Sequence, residues 1–205
     1  MKIGFFGDSF CMEESNPHSW FLNYETYIRK IKNNYKADIV NLGRPGSSYW
    51  DTILDQFTSV ETPDVCIFCW TSHHRIYHPV VRNLTYSTVL DLKLKDIKLS
   101  NILNHGVVNA AKHYYKFLYD DRKAREEMIS AFYRFDREVL SNLKNTKIIH
   151  LWCFEKSYDW QNGITVPVIL KELSADSSPS APNHFEGDAI NSKLANLLIE
   201  IIDAK

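Results

Sequence analysis

Ser9 is the residue on which chemistry can be built. It follows a short apolar run, residues 3–6, and the turn Gly7-Asp8. Such a run reads as a buried strand, which puts the hydroxyl on the turn leaving the first strand of an α/β sheet, where these folds bind ligands. The next helix N-terminus offers backbone N–H donors at the same place. A serine hydroxyl is a poor nucleophile at neutral pH. It needs a base within hydrogen-bond reach and donors for the oxyanion formed on attack. The base must come from a distant loop, and His184, just before the last helical stretch, is the candidate.

Two other groups of side chains invite chemistry. His73, His74 and His78 follow a predicted third strand, and imidazole is a common metal ligand. Adjacent histidines often diverge and no carboxylate is close by in sequence, so no metal site is expected; His73 and Arg75 read instead as rim residues, Arg75 suited to an anionic or hydroxyl-rich substrate. Cys66 and Cys69 form a Cys-x-x-Cys pair inside an apolar run, residues 65–70. Residues three apart on a strand point to opposite faces, so these thiols read as small core hydrophobes.

The elements that must position these groups alternate. Strands are expected over residues 3–6, 37–42, 64–70 and 147–154, and residues 164–170 read as a short fifth strand or a loop. Helical spacing marks residues 21–33, 49–60 and 188–203, and residues 110–143 hold one or two helices. Residues 71–109 show no clean rhythm. Alternating strands and helices predict an α/β fold: a three-layer α/β/α sandwich around a mostly parallel, five-stranded, flavodoxin-like sheet. No repeat or linker divides the 205 residues, so one domain is expected, with residues 71–142 an insertion or lid.

A formal net charge of −1 gives no electrostatic reason to expect nucleic acid or an anionic membrane as partner. No apolar stretch approaches the ~20 residues that span a bilayer, and no signal peptide is visible, so a cytoplasmic protein is expected. The aromatic runs at residues 114–119 and 132–135 fall at helical spacing and read as core packing.

Gly7-Asp8-Ser9-Phe10 resembles the first block of the SGNH/GDSL hydrolases, which reads Gly-Asp-Ser-Leu or a close variant. Residues 41–48, Asn-Leu-Gly-Arg-Pro-Gly-Ser-Ser, resemble the second block, whose glycine N–H binds the oxyanion; Gly46 is the matching position. Residues 180–187, Ser-Ala-Pro-Asn-His-Phe-Glu-Gly, resemble the last block, in which the histidine is general base, here His184. Two positions depart from the family. Ser72 stands where an asparagine completes the oxyanion donors, and Ala181 stands where an aspartate orients the histidine. Asp176 and Asn183 are nearby groups able to orient the ring, and Asp8 is expected to hydrogen-bond its own turn.

The resemblance implies acyl-ester hydrolysis without a cofactor. Ser9 attacks, His184 takes the proton, and the Ser9 and Gly46 amides with Ser72 hold the oxyanion. The expected partner is a small-molecule or glycan ester, acetyl-type esters first. Two alternatives stay open: a catalytically depleted binding or structural module, for which the absent asparagine and aspartate speak, and an O-acyltransferase using the same Ser9 and His184. The oligomeric state is not legible.

Overall fold

The computed structural model describes residues 1–11, 25–81, 84–91, 102–175, 185 and 187–204. Its centre is a sheet of β1 (Lys2–Gly7), β2 (Asp38–Asn41), β3 (Val65–Trp70), β4 (Lys147–Trp152) and β5 (Ile164–Ile169) in the order β2-β1-β3-β4-β5. All four pairings are parallel. Chain progression reverses between β1 and β3, and in open α/β sheets the crevice outside the carboxyl ends at that reversal is where ligands bind.

The inner strands β1, β3 and β4 are apolar because both faces are covered. On one face Ile3, Phe5, Ile67, Cys69, Ile149 and Leu151 pack under α1 (Tyr27–Tyr35), α5 (Leu170–Ala175) and α6 (Asp188–Asp203). On the other, Phe6, Cys66, Phe68, Trp70, Ile148 and Trp152 meet α4 (Asp121–Glu138) through Met128, Phe132 and Phe135. Cys66 and Cys69 therefore fall on opposite faces, as strand alternation requires. Fully burying a side chain such as Phe68 or Ile67 contributes roughly 1.5–3 kcal/mol, so the central strands carry much of the stability.

Helix ends follow local chemistry. Thr26 caps α1 by accepting the Arg29 N–H at 3.3 Å, and Lys36, at φ 48°, ends it. Asp120 caps α4 by accepting the Lys123 N–H at 2.8 Å. Residues 49–59 are helical as the spacing predicts, but Asp51–Gln56 winds as a π-helix, with the Phe57 N–H reaching the Thr52 carbonyl. Ser48 and Asp51 start this segment with a reciprocal cap.

The region without sequence rhythm forms α2 (Tyr86–Asp91) and the first half of α3 (Ile102–Phe117). Val108, Ala111 and Tyr115 of α3 pack with Val81, Leu84 and Val89 in a small cluster of their own. α3 thus begins eight residues before the helical spacing becomes visible at residue 110. Of the aromatic runs, Phe132 and Phe135 are core, whereas Phe117 and Tyr133 are exposed. The fifth strand forms, and as an edge strand it tolerates Pro167. Among the described residues no helix is long and apolar enough to cross a membrane.

Candidate functional site at the sheet reversal

Gly7 ends β1 with φ +142°, and a Cβ there would run into the Cys69 carbonyl of β3. Only glycine lets the strands approach this closely at the reversal. The chain then turns: Ser9–Cys11 is a single 3₁₀ turn in which the Phe10 N–H donates to Asp8 Oδ1 at 3.0 Å and the Cys11 N–H donates to the Asp8 carbonyl at 3.2 Å. Ser9 is half-buried at the head of this turn.

The Asp8 carboxylate is wholly buried. A buried carboxylate without partners is costly, and this one is surrounded by donors. Beyond the Phe10 N–H, the Cys153 thiol donates to Oδ1 at 3.3 Å. Burial, with the neighbouring Asp8 charge, pushes that thiol well above its ordinary pKa and keeps it a donor. Arg75 Nη1 lies 3.2 Å from Asp8 Oδ2 and donates to the Ser47 carbonyl at 2.8 Å. Because Nη1 aims at Ser47, its contact with Oδ2 is an ion pair and not an aligned hydrogen bond, and Oδ2 has no hydrogen-bond partner among the described residues. Arg75 also lies over the Phe154 ring, 5.6 Å from its centroid.

One guanidinium therefore ties the residue before Ser9 to the residue after Gly46. Gly46, buried and at φ +72°, is the third residue of a turn over residues 44–47 closed by the Ser47 N–H on the Arg44 carbonyl. Proline followed by glycine at the central positions suits such a turn. The turn's closing bond does not use the Gly46 N–H.

Gln56 is the second brace, and sequence reasoning misses it. From the π-helix its carboxamide accepts the Gly7 N–H at 2.5 Å and donates to the Gly7 carbonyl at 2.9 Å and to Ser47 Oγ at 3.0 Å. It is fully buried. The available signal was one glutamine between Ile53 and Phe57 on the apolar side of a helix. π-Segments recur at functional sites, and here one carries the residue that fixes the serine turn.

After β3 come Thr71, whose buried hydroxyl has no partner among the described residues, and half-buried Ser72. His73 is buried, with Nε2 3.0 Å from Asp121 Oδ1 and Nδ1 3.8 Å from Glu155. His74 Nδ1 lies 3.4 Å from the same Asp121 oxygen and 2.7 Å from the Tyr119 hydroxyl. Burial, then the His73 charge, lowers the His74 pKa, while its partner His73 holds the Asp121 carboxyl below the ordinary range. His78 stands apart, its Nδ1 accepting the Val80 and Val81 N–H groups. Arg75 and His73 also line a cavity of about 460 Å³ walled by Tyr49, Trp50, Tyr114 and Tyr119.

The fold thus gathers Asp8, Ser9, Gly46, Ser72, His73 and Arg75 at the carboxyl ends of β1, β2 and β3. His184, Asp176 and Asn183 lie outside the described residues. Phe185 is described: its ring packs 5.4 Å from Phe10 and 6.0 Å from Tyr27. The Asn191 carboxamide secures this end of α6 by donating to the Gly187 carbonyl at 2.9 Å and accepting the Tyr27 N–H at 2.9 Å.

No protein-family model matches the sequence, and comparison with curated proteins finds no match. Among solved structures, the chain is similar to one described as "a putative GDSL-like lipase" from Parabacteroides merdae. The identity is 16%, over 98% of this chain and 94% of that one, with a TM-score of 0.45. A likeness at that level does not extend to chemistry.

Proposed function

We propose that this chain is a serine ester hydrolase of the SGNH/GDSL type, with Ser9 the nucleophile and His184 its general base. The observation that carries the reading is the contact between Phe10 and Phe185. These are the residues next in sequence to Ser9 and His184, and neighbouring Cα atoms are only about 3.8 Å apart. The pairing supports a base brought to the serine turn from the far end of the chain.

In the reaction, Ser9 Oγ attacks the ester carbonyl as its proton passes to His184. The Ser9 and Gly46 N–H groups, with the Ser72 hydroxyl, hold the oxyanion. Collapse expels the alcohol, which takes the proton from the His184 imidazolium, and leaves an acyl-serine. Water, deprotonated by His184, then releases the acid. Asp8 is held by Arg75 and its own turn, which leaves orientation of the imidazole to Asp176, Asn183 or a backbone carbonyl.

Small acyl groups, acetyl first, carried on a small molecule or a carbohydrate are the proposed substrates. A series of p-nitrophenyl esters from acetyl to octanoyl tests this. Turnover highest for acetyl and absent in Ser9→Ala supports it. Turnover unchanged in Ser9→Ala would overturn the assignment.

A further inference from the structure

We propose that His73, His74 and Asp121 form a binding site for a first-row divalent cation of the zinc class, on the wall of the cavity beside the serine turn. One ligand atom from each residue lies within 4.8 Å of the other two. His73 Nε2 and His74 Nδ1 stand 3.0 Å and 3.4 Å from Asp121 Oδ1. Ligand atoms about 2.0–2.2 Å from a tetrahedral zinc ion lie roughly 3.3–3.6 Å from one another, so the cluster is close to the needed spacing before any metal draws it in.

A second observation points the same way. The side chain of His73 is 3% exposed and, among the described residues, has no hydrogen bond at Nδ1, while Glu155 Oε1 waits 3.8 Å from that atom. A metal on Nε2 fixes the proton on Nδ1, and a small movement lets it donate to Glu155. Carboxylate–histidine–metal is the ordinary arrangement behind a bound imidazole. The cluster is also rich in acceptors. The Tyr119 hydroxyl, 2.7 Å from His74 Nδ1 and 3.0 Å from Asp121 Oδ1, has one proton to give to the two. A cation satisfies all of them together.

Two imidazoles and one carboxylate are a donor set for zinc, cobalt or nickel, not for calcium or magnesium, which take oxygen ligands. Three protein ligands leave one position open. His73 and Tyr119 both line the cavity, so that position is available to a water or a ligand's carbonyl or carboxylate oxygen. No carboxylate adjoins the histidines in sequence, which is why no metal is expected from local spacing. The fold supplies one from the first turn of α4, 48 residues away, and sends His78 elsewhere.

The site is independent of Ser9 chemistry, and its test needs no substrate. Chelator-stripped protein is titrated with zinc by calorimetry and with cobalt by visible absorption. His74→Ala and Asp121→Ala, both changes at exposed side chains, are compared with His113→Ala, a change outside the cluster. The expected result is one zinc per chain, tetrahedral-intensity cobalt bands, and affinity reduced at least 100-fold in the two cluster variants only. Absence of zinc binding, or equal binding by wild type and both cluster variants, would overturn the site.

Discussion

Lowering the pH should destabilise this protein through one buried imidazole, His150. The ring is sealed in β4, stacked 4.2 Å from Trp160 and 5.8 Å from Phe68. Nδ1 accepts the Trp70 indole N–H at 3.0 Å, and Nε2 donates to the Asn162 carbonyl at 2.9 Å. Both nitrogens are thus used by the neutral ring. Burial lowers its pKa from 6.5 to about 4, against the opposing pull of the Asn162 carbonyl and the Asp136 charge. The unfolded chain takes up the proton near pH 6.5 and the folded chain only near pH 4, so the unfolded state binds more protons throughout that window. Stability falls as pH falls through it. A difference of about 2.5 units corresponds to roughly 3 kcal/mol. That is a large share of the 5–15 kcal/mol typical of a domain.

The assay is urea unfolding of wild type and His150→Gln at intervals from about pH 7.5 to about pH 4. Glutamine can keep one acceptor and one donor without titrating. Whatever the substitution costs at neutral pH, the wild-type advantage should shrink by about 3 kcal/mol across the window. Other groups titrate in both proteins and cancel; Asp188, for instance, is held low by its hydrogen bond to Lys30. Parallel curves would mean that His150 protonates alike in both states and does not set this pH dependence.

Four further outcomes follow from the serine turn. Arg75→Met keeps the apolar stem and removes the cation beside buried Asp8; urea unfolding should show a loss of about 3–5 kcal/mol, as for a buried pair broken on one side. Gln56→Met strands the Gly7 N–H and carbonyl; the protein should lose about 2–3 kcal/mol in the same assay, with ester turnover falling because the serine turn is released. Gly7→Ala, forced into the Cys69 carbonyl at a positive φ, should lower thermal stability more than Gly187→Ala, whose Cβ meets nothing within 4 Å. Ser72→Ala should reduce kcat on p-nitrophenyl acetate about 100- to 1000-fold if its hydroxyl serves the oxyanion, with unfolding unchanged.

The strands were readable where burial on both faces makes them continuous apolar runs, as at residues 65–70 and 147–152. β5 was ambiguous because an edge strand with Pro167 carries a weaker pattern. Residues 71–109 stayed opaque for a different reason: α3 packs on a small cluster of its own, with Val81, Leu84 and Val89, so no long apolar stripe announces it. At the site, Ser9, Asp8 and Gly46 could be picked out because turn chemistry is local. The Asp8–Arg75 ion pair spans 67 residues, and the Gln56 brace spans 49. Such contacts are made by the sheet order, and no local spacing encodes them. Arg75, which reads as a rim residue, lines the cavity, and its guanidinium also reaches Asp8 and the Ser47 carbonyl of the serine turn, a contact no local spacing encodes. The His73–Asp121 pairing escaped for the same topological reason, since α4 alone delivers the carboxylate.

In the proposed function, Ser9 is an activated nucleophile served by His184. Its most direct test is intact-mass analysis after treatment with a fluorophosphonate, on wild type, Ser9→Ala and His184→Ala. The expected result is rapid addition of one label to the wild type, mapped to Ser9, and none to either variant. A folded wild type that takes no label, or a label that persists in Ser9→Ala, would contradict it.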